Sequence, residues 1–227
     1  MFVPLYDGKP MRQLKWPIIN WILIVANIAV FFLVQTPIGI NKAAISFGLV
    51  PALVNDHAIL MPSAIWIPET LTFLTYSFLH GDWFHLLGNM LFLWVFGDNV
   101  EDSMGHIKYL FFYLICAAAA GAGHAFVFAQ AEAPLIGASG AVAGIIAAYL
   151  ILYPKMRVWV LVLGKIPLPL SAFWCLGAWV TLQLYSLVFD ADSQVSWISH
   201  VVGLAAGAIL IPFFKYRHIP LFERQQA

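Results

Sequence analysis

Charge is what this chain has least of. Only 10% of its 227 residues are Asp, Glu, Lys or Arg, and the two signs cancel to a net charge of zero. A soluble domain carries about 25% charged residues, so this sequence cannot furnish a water-facing shell. The absence of net positive charge argues against a nucleic-acid partner. Cysteine is scarce as well. Cys116 and Cys175 both lie in apolar runs and read as small core residues, not as a disulfide or a metal pair. No signal peptide is visible, because the first fifteen residues contain Asp7, Lys9, Arg12, Lys15 and two prolines but no apolar stretch. What is abundant is apolar: 62% of residues are hydrophobic and the mean hydropathy is +0.87. The composition is that of an integral membrane protein.

A spanning helix needs about 20 predominantly apolar residues. Six segments qualify as candidates, near residues 17–36, 83–100, 107–129, 139–153, 171–189 and 197–214. Lys and Arg accumulate in cytoplasmic loops. With the N-terminus inside, Lys9, Arg12, Lys15, Lys108, Lys155, Arg157, Lys165, Lys215, Arg217 and Arg224 all fall on the cytoplasmic side and only Lys42 falls outside. The expectation is an all-α polytopic membrane protein with both termini cytoplasmic and six transmembrane helices around a short central fourth one. It divides into an N-terminal tail (1–16), one membrane domain (17–214) and a C-terminal tail (215–227). The outer loop 37–82 mixes Pro37, Pro51, Pro62 and Pro68 with Phe47, Leu49, Ile65 and Trp66. It is too broken to span and too apolar to float in water, so it is expected in the outer interface as short amphipathic pieces. Glu101 and Gly105 are expected to shape the turn after the second segment.

This topology gathers residues that the sequence scatters. Segments two, four and six all run from outside to inside, so His85, Asn89, Ser139 and His200 share a depth near the outer surface. Ser139 opens the fourth segment within Gly137-Ala138-Ser139-Gly140 and shares a face with Ala143 and Ala147, beside a Gly140/Gly144 pair. His200 shares a face with Gly203 and Gly207. Helices approach closely in membranes where small residues line them. Packing these two faces together would bring imidazole and hydroxyl within hydrogen-bond reach, with the histidine as general base. The fourth segment, about 22 Å long at about 1.5 Å per residue, is shorter than a hydrocarbon core of about 30 Å. Ser139 is therefore expected several ångströms below the surface in a water-filled cavity, with residues 131–138 as re-entering backbone.

His85 and Asn89 are four residues apart and lie on one face. Both can donate hydrogen bonds, and the free N–H groups at the start of the fourth segment can join them around a developing oxyanion. The alternative for this pair is an interhelical hydrogen bond that holds the second segment in place. His80 reads as structural, and His124 as a packing histidine with no obvious partner. A zinc protease would need His-Glu-x-x-His, but His85-Leu86-Leu87-Gly88-Asn89 lacks the glutamate and the second histidine. An aspartyl protease needs two facing aspartates within the membrane. Asp98 lies instead at the cytoplasmic end of its segment, and Asp190 and Asp192 fall in an outer loop. No metal or other cofactor is expected.

Taken together, His80-x4-His85-x3-Asn89, Gly137-Ala138-Ser139-Gly140 and His200-x2-Gly203-x3-Gly207 resemble the rhomboid family of intramembrane serine proteases over about residues 70–214. The resemblance implies a serine endopeptidase with a Ser139–His200 dyad lacking an acidic third member. It implies an oxyanion site from His85, Asn89 and the Ser139 N–H, with His80, Gly137, Gly140, Gly203 and Gly207 in support. Implied partners are single-span membrane proteins within the lipid bilayer. The loop 190–196 would cap the site, and the fifth segment would border the path of the substrate. A six-helix core without long extensions suggests a bacterial inner membrane as the location, with an organelle as the alternative. Two departures stand out. Leu71-Thr72 replaces a Trp-Arg pair that many relatives carry. Ala143 stands where some relatives place an aromatic ring against the histidine, so His200 must be held by something else. Two other readings compete: a catalytically silent membrane-protein binder or chaperone on the same fold, and a small transporter. Against the transporter, no inverted repeat is apparent and the polar groups gather on one side of the membrane.

Overall fold

The computed structural model describes residues 2–59, 66–162, 165–190 and 195–223. Helices dominate it. Four are long and apolar enough to cross a membrane: α1 (Ile18–Ile38), α3 (His106–Val127), α5 (Ala172–Phe189) and α6 (Trp197–Phe214). Between α1 and α3 lies α2, formed by Trp83–Phe92, the π-turn Leu93–Gly97 and Asp98–Met104 in unbroken succession. The shorter α4 (Ser139–Leu152) follows α3. α4 is buried on every side from Gly140 to Tyr149, so the other helices surround it. Large apolar side chains such as Val25, Leu33, Phe84, Ile107, Phe126 and Phe213 point outward, as befits helices facing lipid.

Local chemistry sets the helix ends. The Asp82 carboxylate accepts hydrogen bonds from the N–H groups of Phe84 (2.7 Å) and His85 (2.9 Å), an N-cap that fixes where α2 begins. Its far end stops at Gly105, whose φ of +85° favours a residue without a Cβ. The π-turn has a partner that accounts for it. The Asn20 amide of α1 donates to the Leu93 carbonyl at 2.9 Å, and the Tyr109 hydroxyl of α3 donates to the Asn20 side-chain oxygen at 2.8 Å. One buried asparagine thus joins three helices.

The last turn of α2 also organises the N-terminal segment. Glu101 accepts from the N–H groups of Ile19 (3.0 Å) and Asn20 (2.8 Å), placing a carboxylate at the positive end of α1, and it pairs with the His106 ring. Asp102 accepts from the N–H groups of Arg12, Gln13 and Leu14 at 2.7–2.9 Å. The part expected of Glu101 in the turn after α2 is thereby a concrete one.

The all-α expectation needs correction. Strands β1 (Phe2–Asp7), β2 (Arg157–Val162) and β3 (Ile166–Ser171) form an antiparallel sheet in the order β1-β2-β3. Arg157-Val-Trp-Val-Leu-Val is rich in the β-branched and aromatic residues that suit a pleated surface. In β3, Pro167 and Pro169 stand opposite Leu161 and Trp159, where an edge strand tolerates the missing N–H. The strands are too short to register in a search for spans. In its described part, the loop between α1 and α2 forms the short helices Ile40–Phe47 and Pro51–Val54 and a series of helical turns from Glu69 to Phe78. It is tied to α3 by the Tyr76 hydroxyl, which donates to the Ala117 carbonyl at 2.7 Å. Within the loops, Pro62, Ile65 and Asp192 fall outside the described residues, as do Arg224 and most of the cap expected over residues 190–196.

Asp7 ends β1 among buried neighbours and accepts from the Tyr149 hydroxyl (2.6 Å) and the Asn99 amide (2.9 Å). Burial pushes its carboxyl up from 3.8 to about 6, against the opposing pull of these hydrogen bonds and of Lys9. The folded state therefore keeps this proton to a higher pH than the unfolded chain does. Its stabilising contribution is full below 3.8 and is lost as pH rises through about 6. The wild type should lose up to about 3 kcal/mol across that window relative to Asp7→Asn. Thermal unfolding of both proteins in detergent at several pH values checks this.

Candidate active site

The backbone that delivers Ser139 is braced before the helix starts. Leu135 exchanges both backbone hydrogen bonds with Leu49, at 2.8 and 3.1 Å, and the Gly137 N–H donates to the Tyr76 carbonyl at 3.0 Å. Gly137 has φ +125°, a conformation that residues with a Cβ rarely adopt. Val142 is the first residue of α4 whose N–H closes onto a helical carbonyl, that of Ala138. The N–H groups of Ser139, Gly140 and Ala141 are therefore left without helical acceptors. Ser139 itself is half-buried at the head of the helix.

His85 faces this turn from α2. Its Nδ1 accepts from the Gly81 N–H at 3.3 Å. A backbone N–H can only donate, so the neutral ring carries its proton on Nε2. That edge of the ring lies against Gly137: a Cβ built there would stand 2.7 Å from both His85 Nε2 and Cε1, and 3.6 Å from Ser139 Oγ. An N–H donor, a glycine and the serine hydroxyl thus converge. Asn89, one turn on from His85, is buried, and its Nδ2 has no hydrogen-bond partner among the described residues. Buried polar atoms are rarely left unpaired. His80 is fully buried beneath His85, with ring centroids 5.1 Å apart. The His80 backbone is clamped by Gln35, which accepts from its N–H at 2.8 Å and donates to its carbonyl at 2.9 Å.

The α4–α6 register brings the two remaining predicted residues into one layer. A Cβ on Gly203 would collide with the Gly140 carbonyl, and one on Gly207 with that of Gly144. A Cβ on Gly140 would stand 3.5 Å from the Ser199 carbonyl. Ser139 and His200 are each one residue removed from that last contact. His200 is 8% exposed.

Several residues around His200 went unnoticed in the sequence. Its Nδ1 lies 2.7 Å from Gln183 Oε1 of α5. Trp179 stacks on the ring at 6.4 Å with a 24° interplanar angle, and Trp197 meets it edge-on at 5.7 Å. These contacts supply what Ala143 cannot. His124 also has a partner: its Nδ1 lies 2.7 Å from the hydroxyl of Ser196, whose side chain caps α6 by accepting from the Ser199 N–H at 3.3 Å. Gln183 did leave a signal, as the one carboxamide in the apolar run 172–189. A strongly polar group inside a spanning segment calls for a partner.

The glycine contacts can be tested directly. Gly207→Ala places a methyl group into backbone that cannot yield and should cost about 1–3 kcal/mol. Gly177→Ala, where a Cβ meets nothing within 4 Å, should leave the thermal midpoint in detergent unchanged.

Comparison with known proteins places the chain in a family. The profile of the Rhomboid domain matches residues 68–217, a stretch that includes His85, Asn89, Ser139, Gln183 and His200. The chain is 29% identical over 153 residues to Rhomboid-like protein 11, chloroplastic, of Arabidopsis thaliana, covering 63% of this chain and 52% of that protein. It is 26% identical over 154 residues to RHOMBOID-like protein 12, mitochondrial, of the same plant, covering 61% and 44% respectively. The chain spans about half the length of these relatives. Both carry organellar names, which lend no support to a bacterial inner membrane. With the family's domain matched across two thirds of its length and its helices apolar enough for a bilayer, this chain is a membrane protein that belongs to the rhomboid family.

Proposed function

We propose that this protein is an intramembrane serine endopeptidase that cuts single-span membrane proteins. The observation that carries the reading is the meeting of three features at the head of α4: the His85 ring edge, Gly137 with its positive φ and the Ser139 hydroxyl. The glycine register that sets His200 in the same layer supports it. In this reading all six helices cross the bilayer with both termini cytoplasmic, a topology supported by the placement of ten of the eleven Lys and Arg residues.

The chemistry follows from the groups present. His200 Nε2 takes the proton from Ser139 Oγ as the oxygen attacks the scissile carbonyl carbon. The carbonyl oxygen gains negative charge, and the N–H donors assigned to it are the backbone N–H of Ser139, His85 Nε2 and Asn89 Nδ2. Donors preorganised in a site shielded from bulk water contribute the largest single share of such catalysis. His200 then returns the proton to the departing amine, leaving an acyl-serine. A water molecule, deprotonated by the same imidazole, releases the second product and restores the hydroxyl. The unpaired Asn89 Nδ2 fits this role because its acceptor arises only during the reaction.

Ser139→Ala and His200→Ala should each lower cleavage of a reporter span in reconstituted vesicles by more than about a thousandfold while both proteins still insert and fold. A serine-directed phosphonate should label only chains that retain Ser139. Full cleavage by Ser139→Ala would overturn the assignment. Reporter association without product in the wild type would identify a silent binder of membrane helices instead.

A further inference from the structure

We infer that Gln183 is a positioning residue for this site: by accepting a hydrogen bond at His200 Nδ1 it holds the imidazole in the tautomer whose free lone pair is on Nε2. The inference rests on the proposed proteolytic reading for its consequence in rate, but not for the state of the ring. Gln183 Oε1 stands 2.7 Å from His200 Nδ1. A carboxamide oxygen is an acceptor only, so at this contact the ring nitrogen supplies the proton. The neutral imidazole carries one proton, which leaves Nε2 as the basic nitrogen. The second ring in the site has the opposite polarity, because Gly81 donates to His85 Nδ1 and Nε2 is the protonated nitrogen there. The two histidines are thus set to complementary tasks by what each meets at Nδ1, a backbone N–H for His85 and a side-chain oxygen for His200: His85 donates through Nε2 and His200 accepts through Nε2.

The placement of Gln183 is unusual for its helix. Only 22% of the α5 span is buried, against 39% of α3, yet Gln183 is 5% exposed. Trp179, one turn earlier, lies over the same imidazole. An unpaired amide at such a place is costly, and a neutral partner suits a site with no acidic third member. A carboxylate there would add a buried charge needing its own compensation. An amide orients the ring with no such demand. The bland alternative is that Gln183 merely ties α5 to α6 as interhelical glue.

Three substitutions and two readouts separate these accounts. Gln183→Met keeps volume and loses the acceptor, Gln183→Glu keeps an acceptor, and Gln183→Ala loses both. With 15N-labelled histidine in mildly alkaline detergent, the wild type should show His200 with a protonated Nδ1 and a bare Nε2, assigned by comparison with His200→Ala. Gln183→Met should shift that ring toward the Nε2-protonated form, and Gln183→Glu should not. In cleavage assays, Gln183→Met and Gln183→Ala should lower kcat by about tenfold or more at nearly unchanged KM, and Gln183→Glu should recover most of it. A wild-type His200 protonated on Nε2 would overturn the inference. So would a Gln183→Met protein with unaltered tautomer and kcat. If the wild type cleaves no reporter at all, the proteolytic reading fails while the nitrogen resonances still decide what Gln183 does to the ring.

Discussion

The placing of Ser139 and His200 depends on backbone meeting backbone between α4 and α6. Gly203 and Gly207 leave no room for a Cβ against Gly140 and Gly144. Within lipid, helices gain little from hiding apolar surface, since acyl chains are as apolar as leucine; close packing and polar contacts hold them instead. The glycines allow that closeness, and the closeness sets height. Two residues far apart in sequence, Ser139 and His200, share a layer because the helices interlock in this register. On its other side α4 meets α3, where Cys116 lies against Gly144 and Ala120 against Gly140. The scarce cysteine is thus a small filler at a crowded crossing.

Polar groups divide by whether they are satisfied. At the end of α2 near Asp98–Met104, buried carboxylates are fully engaged. Glu101 and Asp102 accept five backbone N–H groups between them from the segment that leads into α1. They act as covalent chain extensions would, fixing how the N-terminal segment lies. At the opposite end, Asn89 Nδ2, Trp197 Nε1 and both His80 ring nitrogens are buried without partners among the described residues. Unpartnered buried atoms also occur elsewhere among the described residues, at Asn27 Oδ1, Asn99 Oδ1 and Tyr113 Oη, so it is the donor character of Asn89 Nδ2, one turn from His85, that bears on the proposed chemistry. Between the two regions Asn20 ties α1, α2 and α3 together.

Much of this was readable before any coordinates. Apolar runs report helices directly, so the observed α6 (Trp197–Phe214) coincides with the expected segment, and α4 begins at Ser139 as anticipated. The sheet escaped notice because strands of six residues fall below the length at which hydropathy discriminates. The ring of contacts around His200 escaped for a different reason. Trp179, Gln183 and Trp197 come from two helices, and no spacing rule within one helix indicates which residue of α5 turns inward.

By itself, the sequence determined that the chain lives in a membrane, where its helices lie, and which serine and histidine face small-residue surfaces. These are properties of composition and of a 3.6-residue period, and both are local. Only the tertiary structure decided which neighbour the imidazoles of His85 and His200 meet at Nδ1. That choice assigns His85 as a donor through Nε2 and gives His200 its partner in Gln183. It depends on helix rotation and register to within an ångström, and these arise from packing among all the helices together.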